Sequence, residues 1–286
     1  MKVLILGSNG MLGNAFLQTI NKYSDFDAYG TVRKNINIKK IDSLKIFDNI
    51  NCENFLSLEN IIYQLKPSVI VNCIGLVKQH SASENPIKSI LINSLFPHKV
   101  FELCQKINAR FIQISTDCVF SGTLGDYTED DFADPQDIYG RSKLLGEINN
   151  SGSITLRTSI IGHSLYSNHG LIDWFLTQKD NIKGYKKAIF SGLTTFELSK
   201  IIIEYVIPNA ELSGIYHVSS SSISKYDLLN LVRKIYKKSI EISPDDNLVI
   251  DRSLNSEKFK QLTHYDPPSW ENMIQEMYLL KNEQFF

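Results

Sequence analysis

The sequence predicts an α/β fold, a Rossmann-type doubly wound parallel sheet with a smaller α/β substrate-binding lobe. Three observations support this. Short apolar runs alternate with amphipathic helical segments to about residue 160, a glycine triplet follows the first apolar run, and the rhythm changes afterwards. Such alternation is typical of a parallel sheet with helices on both faces.

The first half of the chain carries the alternation. Its predicted strands are short and mostly apolar: KVLIL, FDAYGTV, SVIVNCIG, RFIQIST and ITLRTSIIG. Its predicted helices carry apolar residues at three- and four-residue steps: LGNAFLQTINKY, ENFLSLENIIYQL and IKSILINSLFPHKVFELCQKI. Pro97 predicts a break or kink in the third of these, and a further helix is predicted from YGRSK into LLGEINN.

The second half has a different rhythm, which predicts a second lobe packed on the first. An irregular, aromatic stretch precedes a predicted helix (TFELSKIIIEYV), a short strand (GIYHVS) and two more helices, LLNLVRKIY and SWENMIQEMYLL. Ser224 and Asp227 have capping-box spacing ahead of LLNLVRKIY. We predict a dinucleotide-binding domain over residues 1–162, to which residues 190–218 return, and a mainly substrate-binding lobe over residues 163–286.

Composition and charge exclude several classes of function. The 286 residues include 30 basic and 31 acidic residues, so no basic field is available to bind nucleic acid or a membrane surface. The apolar run in the opening MKVLILG is too short for a signal peptide or a membrane span. The four cysteines lack CxxC or metal-ligand spacing. We expect a cytoplasmic protein with reduced thiols and no bound metal. The oligomeric state stays open, with a homodimer as the expectation.

A glycine triplet lies where a dinucleotide site needs one. LILGSNGMLG places it between the first predicted strand and the first predicted helix. Glycines let the backbone approach a pyrophosphate, and a helix N-terminus stabilises its negative charge. The spacing is GxxGxxG rather than GxGxxG, so its position supports the prediction more than the motif does. The predicted cofactor contacts here are Gly7, Ser8, Asn9, Gly10, Met11, Leu12 and Gly13.

The end of the second predicted strand bears on the choice of cofactor. NAD sites place an acid there to bind the ribose hydroxyls. This strand ends with Arg33 and Lys34 instead, and Asp27 lies near its beginning. A cation at that end suits a 2′-phosphate. We therefore expect NADP, with NADPH preferred over NADH. The alternative role for Arg33 is a solvated surface charge.

The pentapeptide YGRSK suggests acid–base chemistry. Tyr139 and Lys143 are four residues apart, about one helical turn, so their side chains share a helix face. An ammonium near a phenol favours the phenolate and lowers the pKa of the tyrosine. Such a tyrosine can exchange protons with a substrate near neutral pH. Because this spacing also arises by chance, the pair gains weight only from the rest of the chain.

Six landmarks fall in one order along the chain. They are GSNGMLG, NCIG, an asparagine in the long helical segment, STDCVFSG, YGRSK and LRTSIIG. In this order and spacing the chain resembles the extended short-chain dehydrogenase/reductases. Within that group, STDCVFSG followed by YGRSKLLGE is most similar to the dTDP-4-dehydrorhamnose reductase family. The resemblance extends over nearly the whole chain and is strongest through residue 162.

The resemblance implies a catalytic tetrad. Tyr139 would protonate the carbonyl oxygen of the substrate, and Lys143 would lower the pKa of Tyr139 and bind the nicotinamide ribose. Thr116 would hydrogen-bond the same carbonyl oxygen. Asn93 would support the proton relay near Lys143, although an asparagine there can equally satisfy backbone groups.

The resemblance also implies contacts along the cofactor. Beside its phosphates and ribose would lie Asn72, Cys73, Ile74 and Gly75. Residues 157–159 would approach the nicotinamide end. Asn51 and Cys52 would lie beside the adenine, where many relatives carry an acid followed by an aliphatic residue.

On the substrate side, the resemblance implies a nucleotide-linked sugar with a keto group at carbon 4. Its diphosphate needs a cation, and Arg252 is the leading candidate, since an arginine fork binds phosphate oxygens in two places. A surface salt bridge is the alternative role for Arg252. Trp174 is predicted to offer an aromatic surface, or else to lie in the core. The further residues predicted to contact the substrate are Thr116, Asp117, Cys118 and Val119.

The implied function is reduction of that keto group by NADPH. The substrate would be a 4-keto-6-deoxy sugar nucleotide, either dTDP-4-dehydrorhamnose or a UDP-linked N-acetylamino relative, in the synthesis of cell-surface polysaccharide precursors. A sugar-nucleotide epimerase and a non-catalytic NADP-binding regulatory subunit stay open as alternatives. The 4,6-dehydratases are less similar, because Cys118 stands where they carry the glutamate of an Asp-Glu pair.

Overall fold

A seven-stranded sheet forms the centre of the first lobe. Its strands are β1 (Lys2–Leu6), β2 (Asp27–Thr31), β3 (Lys45–Phe47), β4 (Val69–Asn72), β5 (Arg110–Ile114), β6 (Ser153–Arg157) and β11 (Gly214–His217). Side by side they follow the order β11-β6-β5-β4-β1-β2-β3, and each neighbouring pair is parallel. The computed structural model describes residues 1–34, 45–77, 85–165 and 170–282. This sheet confirms the predicted α/β fold.

β1 is buried on both faces, which explains its continuous apolar sequence. Val3 and Ile5 belong to one hydrophobic cluster, and Leu4 and Leu6 belong to another. Because successive strand residues point to opposite faces of a sheet, the two clusters lie on its two sides. Both faces are therefore covered, as parallel sheets require.

Helices alternate with the strands of the first lobe. They are α1 (Met11–Tyr23), α2 (Phe55–Leu65), α3 (Pro86–Ser89), α4 (Phe96–Ile107) and α5 (Ile138–Leu145). A π-helical segment, Ile90–Leu95, joins α3 to α4. The irregularity in this long region is the π-helical segment, in which Phe96 N–H donates to the Leu91 carbonyl oxygen. Pro97 follows it directly. Leu95 and Phe96 have helical dihedral angles, so the chain stays helical through Pro97 although the proline removes one hydrogen bond.

The second lobe consists of short strands and helices. Its strands are β7 (Ile160–Ile161), β8 (Ile182–Tyr185), β9 (Ala188–Phe190), β10 (Leu193–Thr194), β12 (Ile223–Ser224), β13 (Ile242–Asp245) and β14 (Ile250–Asp251). Its helices are α6 (Leu171–Thr177), α8 (Lys225–Ile235), α9 (Glu257–Thr263) and α10 (Trp270–Asn282). Between α6 and α8 lies α7 (Thr195–Ile201) with a π-helical continuation (Ile202–Val206). β7 pairs with β10, β9 pairs with β12 and β14, and β8 pairs with β13.

The start of α8 confirms the predicted helix cap. Ser224 Oγ accepts a hydrogen bond from Asp227 N–H at 3.0 Å and donates one to Asp227 Oδ2 at 2.6 Å. Within the described residues, no helix has both the length and the apolar composition that a membrane span requires.

Two elements lead the chain back to the first lobe. β11 pairs with β6 at one edge of the large sheet, and α7 packs against α1. Residues 190–218 include both elements. The domain boundaries themselves stay a prediction.

Two predicted elements have different limits in the structure. The strand predicted from ITLRTSIIG is two strands, because Thr158 and Ser159 separate β6 from β7, and β7 pairs with β10 instead of a strand of the large sheet. The helix predicted to continue into LLGEINN ends at Leu145. Gly146 follows, a residue type that destabilises helix interiors.

Candidate active site

The carboxyl ends of the parallel strands meet at one edge of the sheet. β1 and β4 are neighbours there, although β2 and β3 lie between them in the sequence, so the strand order reverses at this point. Ligands of doubly wound sheets bind in the crevice at such a switch point. The segments that leave these two strands begin at Gly7 and Cys73. Both predicted cofactor segments therefore flank the expected crevice.

The loop after β1 leaves no room for a side chain at Gly7 or Gly13. Gly7 has a φ of +79°, and a Cβ on Gly7 would lie 2.7 Å from Ile74 Cγ1. A Cβ on Gly13 would lie 2.2 Å from the Gly7 carbonyl oxygen. Gly10 N–H donates to that same oxygen at 3.0 Å and precedes α1. The loop thus closes against the N-terminus of α1, and its bare backbone fits the pyrophosphate of a dinucleotide.

Hydrogen bonds from Ser8 and Gly7 to Thr31 hold this loop against the end of β2. The N–H and the hydroxyl of Ser8 both donate to the Thr31 carbonyl oxygen, at 2.9 and 3.0 Å. Gly7 N–H donates to the Thr31 hydroxyl at 3.2 Å. These contacts do not support Ser8 as a donor to the cofactor, because β2 already accepts both of its donor groups. The Leu12 side chain is buried in the core, so only its backbone can face a ligand.

Arg33, Asn51 and Cys52 come together beyond the end of β2. Ile50 N–H donates to the Val32 carbonyl oxygen at 3.0 Å, which brings the two residues after Ile50 beside Arg33. Burial raises the pKa of the Cys52 thiol to about 11, and the positive charge of Arg33 opposes this. The exposed Arg33 side chain is therefore a cation at the predicted adenosine end.

Asp27 lies at the other end of β2. It is the first residue of that strand, where its carboxylate pairs with Lys45 and accepts a hydrogen bond from the Tyr29 hydroxyl at 3.0 Å. A residue at the amino end of a strand cannot reach a ribose bound beyond the carboxyl end. The acid that NAD sites use is therefore not supplied by Asp27.

A close approach between α5 and the 3-10 turn Asp117–Val119 forms the centre of the candidate site. A Cβ on Gly140 would lie 2.2 Å from the Cys118 carbonyl oxygen, so a larger residue would push the helix away. Thr116 caps the turn by accepting a hydrogen bond from Cys118 N–H at 3.1 Å. The Thr116 hydroxyl also lowers the pKa of Tyr139, which precedes Gly140. Two of the four predicted tetrad residues are therefore close together.

The pKa of Tyr139 moves in the direction opposite to the prediction. Burial and then the neighbouring Cys118 thiol raise this pKa, and the hydrogen bond with Thr116 only partly opposes them. The Lys143 ammonium donates instead to the Ile114 carbonyl oxygen at 2.6 Å. The phenol of Tyr139 therefore stays protonated at neutral pH, which is the state that a general acid needs before it donates.

Lys143 and Asn93 meet at Gly75. A Cβ on Gly75 would lie 3.4 Å from Asn93 Oδ1 and 3.8 Å from Lys143 Nζ. Asn93 is buried, and its Oδ1 accepts a hydrogen bond from Leu76 N–H at 2.8 Å. Its Nδ2 donates to the Leu76 carbonyl oxygen at 3.2 Å and to the Ser142 hydroxyl at 3.1 Å. Asn93 therefore satisfies backbone groups and also lies beside Lys143, in a π-helical segment of the kind often found at functional sites.

The pKa of Lys143 predicts how cofactor binding depends on pH. Burial lowers it to about 8, and the charge of Glu147 opposes this. The side chain is a cation below that pH and neutral above it. Any bond from its ammonium to the cofactor ribose therefore weakens as the pH rises. We expect the affinity for NADPH to fall by about tenfold or more from neutral pH to roughly pH 9.5, the contribution of one charged hydrogen bond. Fluorescence titration measures this affinity.

Lys143→Met is the control for this pH dependence. The variant should bind NADPH weakly and with nearly the same affinity across the range, since it has no amine to titrate. A wild-type affinity that stays constant across the range would contradict the role given to Lys143.

A buried ion pair beside Lys143 has no counterpart in the sequence-based prediction. Arg157 donates to both carboxylate oxygens of Glu147, at 2.9 and 2.8 Å, and both side chains are almost fully buried. Its Nη1 lies 3.3 Å from His217 Nε2. Arg157 is held by Glu147, and its predicted approach to the nicotinamide stays a prediction. Both residues lie in motifs quoted above, YGRSKLLGE and LRTSIIG, but their pairing is not visible in one sequence.

Two cations of the second lobe approach the turn after Thr116. Arg252 Nε donates to the Phe120 carbonyl oxygen at 2.9 Å. Burial raises the pKa of Asp117, and the positive charges of Arg252 and Lys225 lower it. Arg252 is therefore close to the site, where the sequence predicts a phosphate-binding arginine. Lys225 is a further cation that the sequence did not single out.

Two residues predicted to contact the substrate, Val119 and Trp174, differ in their exposure to solvent. Val119 is 0% exposed, in a hydrophobic cluster with Phe120 and Tyr127, so its side chain cannot reach a ligand. Trp174 lies on α6 and is 39% exposed, so the core alternative is wrong for it. Its predicted contact with the substrate stays a prediction. In the described part of the chain, no group of three or more His, Cys, Asp or Glu side chains could hold a metal ion.

The chain is similar to known proteins over most of its length. The model of the family described as RmlD substrate binding domain matches residues 1–282. The chain is 27% identical over 231 residues to the spore coat polysaccharide biosynthesis protein SpsK of Bacillus subtilis, a match that covers 79% of this chain and 75% of that protein. It is 29% identical over 164 residues to the methionine adenosyltransferase 2 subunit beta of Bos taurus, which covers 56% of this chain and 47% of that protein.

A solved structure has the same fold. It is the dTDP-4-dehydrorhamnose reductase of Bacillus anthracis in complex with NADP, with a TM-score of 0.81, 22% identity, and coverage of 97% of this chain and 98% of that chain. The family match over nearly all residues agrees with the predicted enzyme class, the NAD(P)-dependent oxidoreductases. It also confirms the predicted family: the chain belongs to the family of the RmlD substrate binding domain.

Proposed function

We propose that the protein reduces the carbon-4 keto group of a nucleotide-linked 4-keto-6-deoxy sugar with NADPH. The observation that carries this proposal is the convergence of Thr116, Tyr139 and Lys143 beside the glycine-lined crevice. Thr116 contacts Tyr139, and Lys143 Nζ lies 3.8 Å from where a Cβ on Gly75 would be. A protonated phenol, a hydroxyl and an ammonium at this edge of the sheet support hydride transfer from a bound dinucleotide to a carbonyl group.

Each of these side chains has one role in the proposed reaction. The nicotinamide of a bound NADPH supplies the reducing equivalent. Tyr139 donates its proton to the carbonyl oxygen of the sugar, and Thr116 hydrogen-bonds and orients the same oxygen. Lys143 binds the ribose hydroxyls of the cofactor. Asn93 holds the backbone at Leu76 and thereby the segment that passes the cofactor.

The substrate class follows from charge and from similarity. Arg252 and Lys225 bring two positive charges toward Asp117, which suits the diphosphate of a sugar nucleotide. The name of the SpsK relative supports a role in polysaccharide synthesis, and the Bacillus anthracis enzyme supports a dTDP-linked substrate. A UDP-linked N-acetylamino sugar would undergo the same chemistry. A cytoplasmic location and a homodimer stay predictions.

A reduction assay tests the proposed function. Purified protein is mixed with NADPH and a panel of dTDP- and UDP-linked 4-keto-6-deoxy sugars, and both NADPH and sugar are quantified. We expect one NADPH to be consumed for each sugar reduced. Isomerisation of a sugar nucleotide without net loss of NADPH would show an epimerase instead.

A non-catalytic NADP-binding subunit is the second candidate, and one observation favours it. The chain is similar to the methionine adenosyltransferase 2 subunit beta, which is named as a subunit of an enzyme. Binding of NADPH without turnover of any sugar in the panel would support this candidate. The contact between Thr116 and Tyr139 favours the reductase, because a subunit that only binds the cofactor needs no proton donor there.

Arg33 is expected to distinguish NADPH from NADH. Its exposed guanidinium lies beside Cys52 at the adenosine end. Arg33→Ala should weaken NADPH binding by about tenfold or more, the contribution of a charged hydrogen bond to the 2′-phosphate, and should leave NADH binding nearly unchanged. Titration with both cofactors measures the effect, and Lys34→Ala is the matched control. Equal losses for NADPH and NADH would show that Arg33 does not bind the 2′-phosphate.

A further inference from the structure

The Glu147 carboxylate is buried directly after α5, the helix that carries Lys143. Gly146 N–H donates to the Lys143 carbonyl oxygen at 3.1 Å, and Glu147 N–H donates to the Leu144 carbonyl oxygen at 3.2 Å, so a tight turn closes the helix. A Cβ on Gly146 would lie 1.8 Å from the Asn93 carbonyl oxygen, so this turn packs closely against the π-helical segment. Backbone contacts on two sides therefore fix the position of Glu147.

The two carboxylate oxygens of Glu147 join three elements. Oε1 accepts hydrogen bonds from the Ser115 hydroxyl at 2.6 Å and from Arg157 Nε at 2.9 Å. Oε2 accepts one from Arg157 Nη2 at 2.8 Å. Ser115 directly follows β5, and Arg157 is the last residue of β6. One carboxylate therefore holds the end of α5 to the ends of both strands.

Lys143 is anchored to the same strand end. Its ammonium donates to the carbonyl oxygen of Ile114, the residue before Ser115. Ile114 and Ser115 directly precede Thr116. Lys143 of α5 holds Ile114, and Glu147, which follows α5, holds Ser115. Both bonds therefore fix the end of β5 immediately before Thr116.

Glu147 and Lys143 are also linked by charge. Lys143 is buried, and the charges that act on its ammonium are those of Glu147 and Cys73. The Cys73 thiol is neutral, because burial raises its pKa to about 12. On the far side of Glu147, Arg157 faces His217, which is neutral because burial, with the Arg157 charge, lowers its pKa to about 4. Glu147 is therefore the anion whose charge acts on the Lys143 ammonium.

We propose that Glu147 is a positioning residue for the reaction: its carboxylate holds Thr116 in place through Ser115, and it supplies the counter-charge for the Lys143 ammonium. The proposal rests on the proposed function, since that function gives Thr116 and Lys143 their roles. Without this carboxylate, Lys143 becomes a neutral amine at a lower pH, and the end of β5 loses a buried hydrogen bond.

Titration of Lys143 by NMR tests the charge directly and does not depend on turnover. The protein is labelled with 13C-lysine, and Lys143→Met assigns the signal. The wild-type midpoint is expected near pH 8, and Glu147→Gln should lower it by about one pH unit or more. Ser115→Ala keeps the charge, so it should leave the midpoint unchanged and lower turnover by about two- to tenfold, the contribution of one hydrogen bond.

A second variant covers the case in which Glu147→Gln does not fold, because it leaves the buried Arg157 unpaired. Glu147→Gln combined with Arg157→Gln removes both charges and should also lower the midpoint, by less than Glu147→Gln alone, because loss of the Arg157 charge acts in the opposite direction. An unchanged Lys143 midpoint in either variant, with folding checked by circular dichroism, would overturn the proposal. A lower midpoint in a protein that reduces no sugar nucleotide would support the electrostatic link and refute only the proposed function.

Discussion

Tyr139→Phe should lower the turnover of a 4-keto sugar nucleotide by about two orders of magnitude or more and leave NADPH binding near the wild-type value. The variant removes one oxygen from a partly buried side chain whose hydroxyl contacts Thr116. That oxygen carries the proton for the carbonyl of the substrate, and a positioned general acid contributes about this much to a rate. Single-turnover reduction and a fluorescence titration with NADPH measure the two effects separately.

Tyr63→Phe is the matched control for this substitution. Tyr63 lies on α2 and is 41% exposed, so loss of its hydroxyl should change neither turnover nor cofactor affinity. If Tyr139→Phe turned over like the wild type, another group would have to supply the proton. An equal loss of NADPH affinity and turnover would point to a structural role for the hydroxyl.

Gly13→Ala should abolish most cofactor binding and lower the stability of the first lobe. The new Cβ would lie 2.2 Å from the Gly7 carbonyl oxygen and 3.0 Å from Ser8 Cα, so backbone has to move on one side or the other. Overpacking against a fixed neighbour costs about 1–3 kcal/mol, and here the displaced backbone is the surface that fits the pyrophosphate. Thermal unfolding and titration with NADPH report the two losses.

Gly10→Ala is the matched control for Gly13→Ala. It also replaces a glycine of the loop, but it causes much less steric overlap. A Cβ on Gly10 would meet only the Gly7 carbonyl oxygen, at 3.3 Å, and the φ of Gly10 is −76°, which alanine adopts readily. This variant should therefore unfold near the wild-type temperature. Wild-type stability and NADPH affinity in Gly13→Ala would contradict this account, because they would show that the close contact between Gly13 and the Gly7 carbonyl oxygen is not needed.

The central sheet could be predicted because its signals are local and continuous. The four buried residues of β1 are all apolar because both faces of the sheet are covered. The glycine triplet follows this strand directly. β3 is different, because its three residues begin with an exposed lysine and give no apolar run. β7 and β10 have two residues each, and they exist only because they pair with each other. A strand that depends on a distant partner leaves little trace in its own sequence.

The candidate site shows the same division between local and long-range signals. The positions of Thr116 and Tyr139 follow from the motifs around them, and the structure brings the two into contact. The direction of the Tyr139 pKa does not follow, because burial depends on the whole fold and outweighs the effect expected from the lysine one turn away. The pairing of Arg157 with Glu147 likewise joins residues from different elements, which one sequence cannot place together.

Transfer of an isotopic label tests the proposed reaction most directly. The protein is incubated with NADPH in which both hydrogens at carbon 4 of the nicotinamide are deuterium and with the panel of dTDP- and UDP-linked 4-keto-6-deoxy sugars, and the products are examined by NMR. We predict deuterium at carbon 4 of the sugar in one or more products, and no such product from Tyr139→Phe in the time of a wild-type turnover. If the wild-type protein bound NADPH but left every sugar of the panel without deuterium at carbon 4, the proposed reduction would be contradicted.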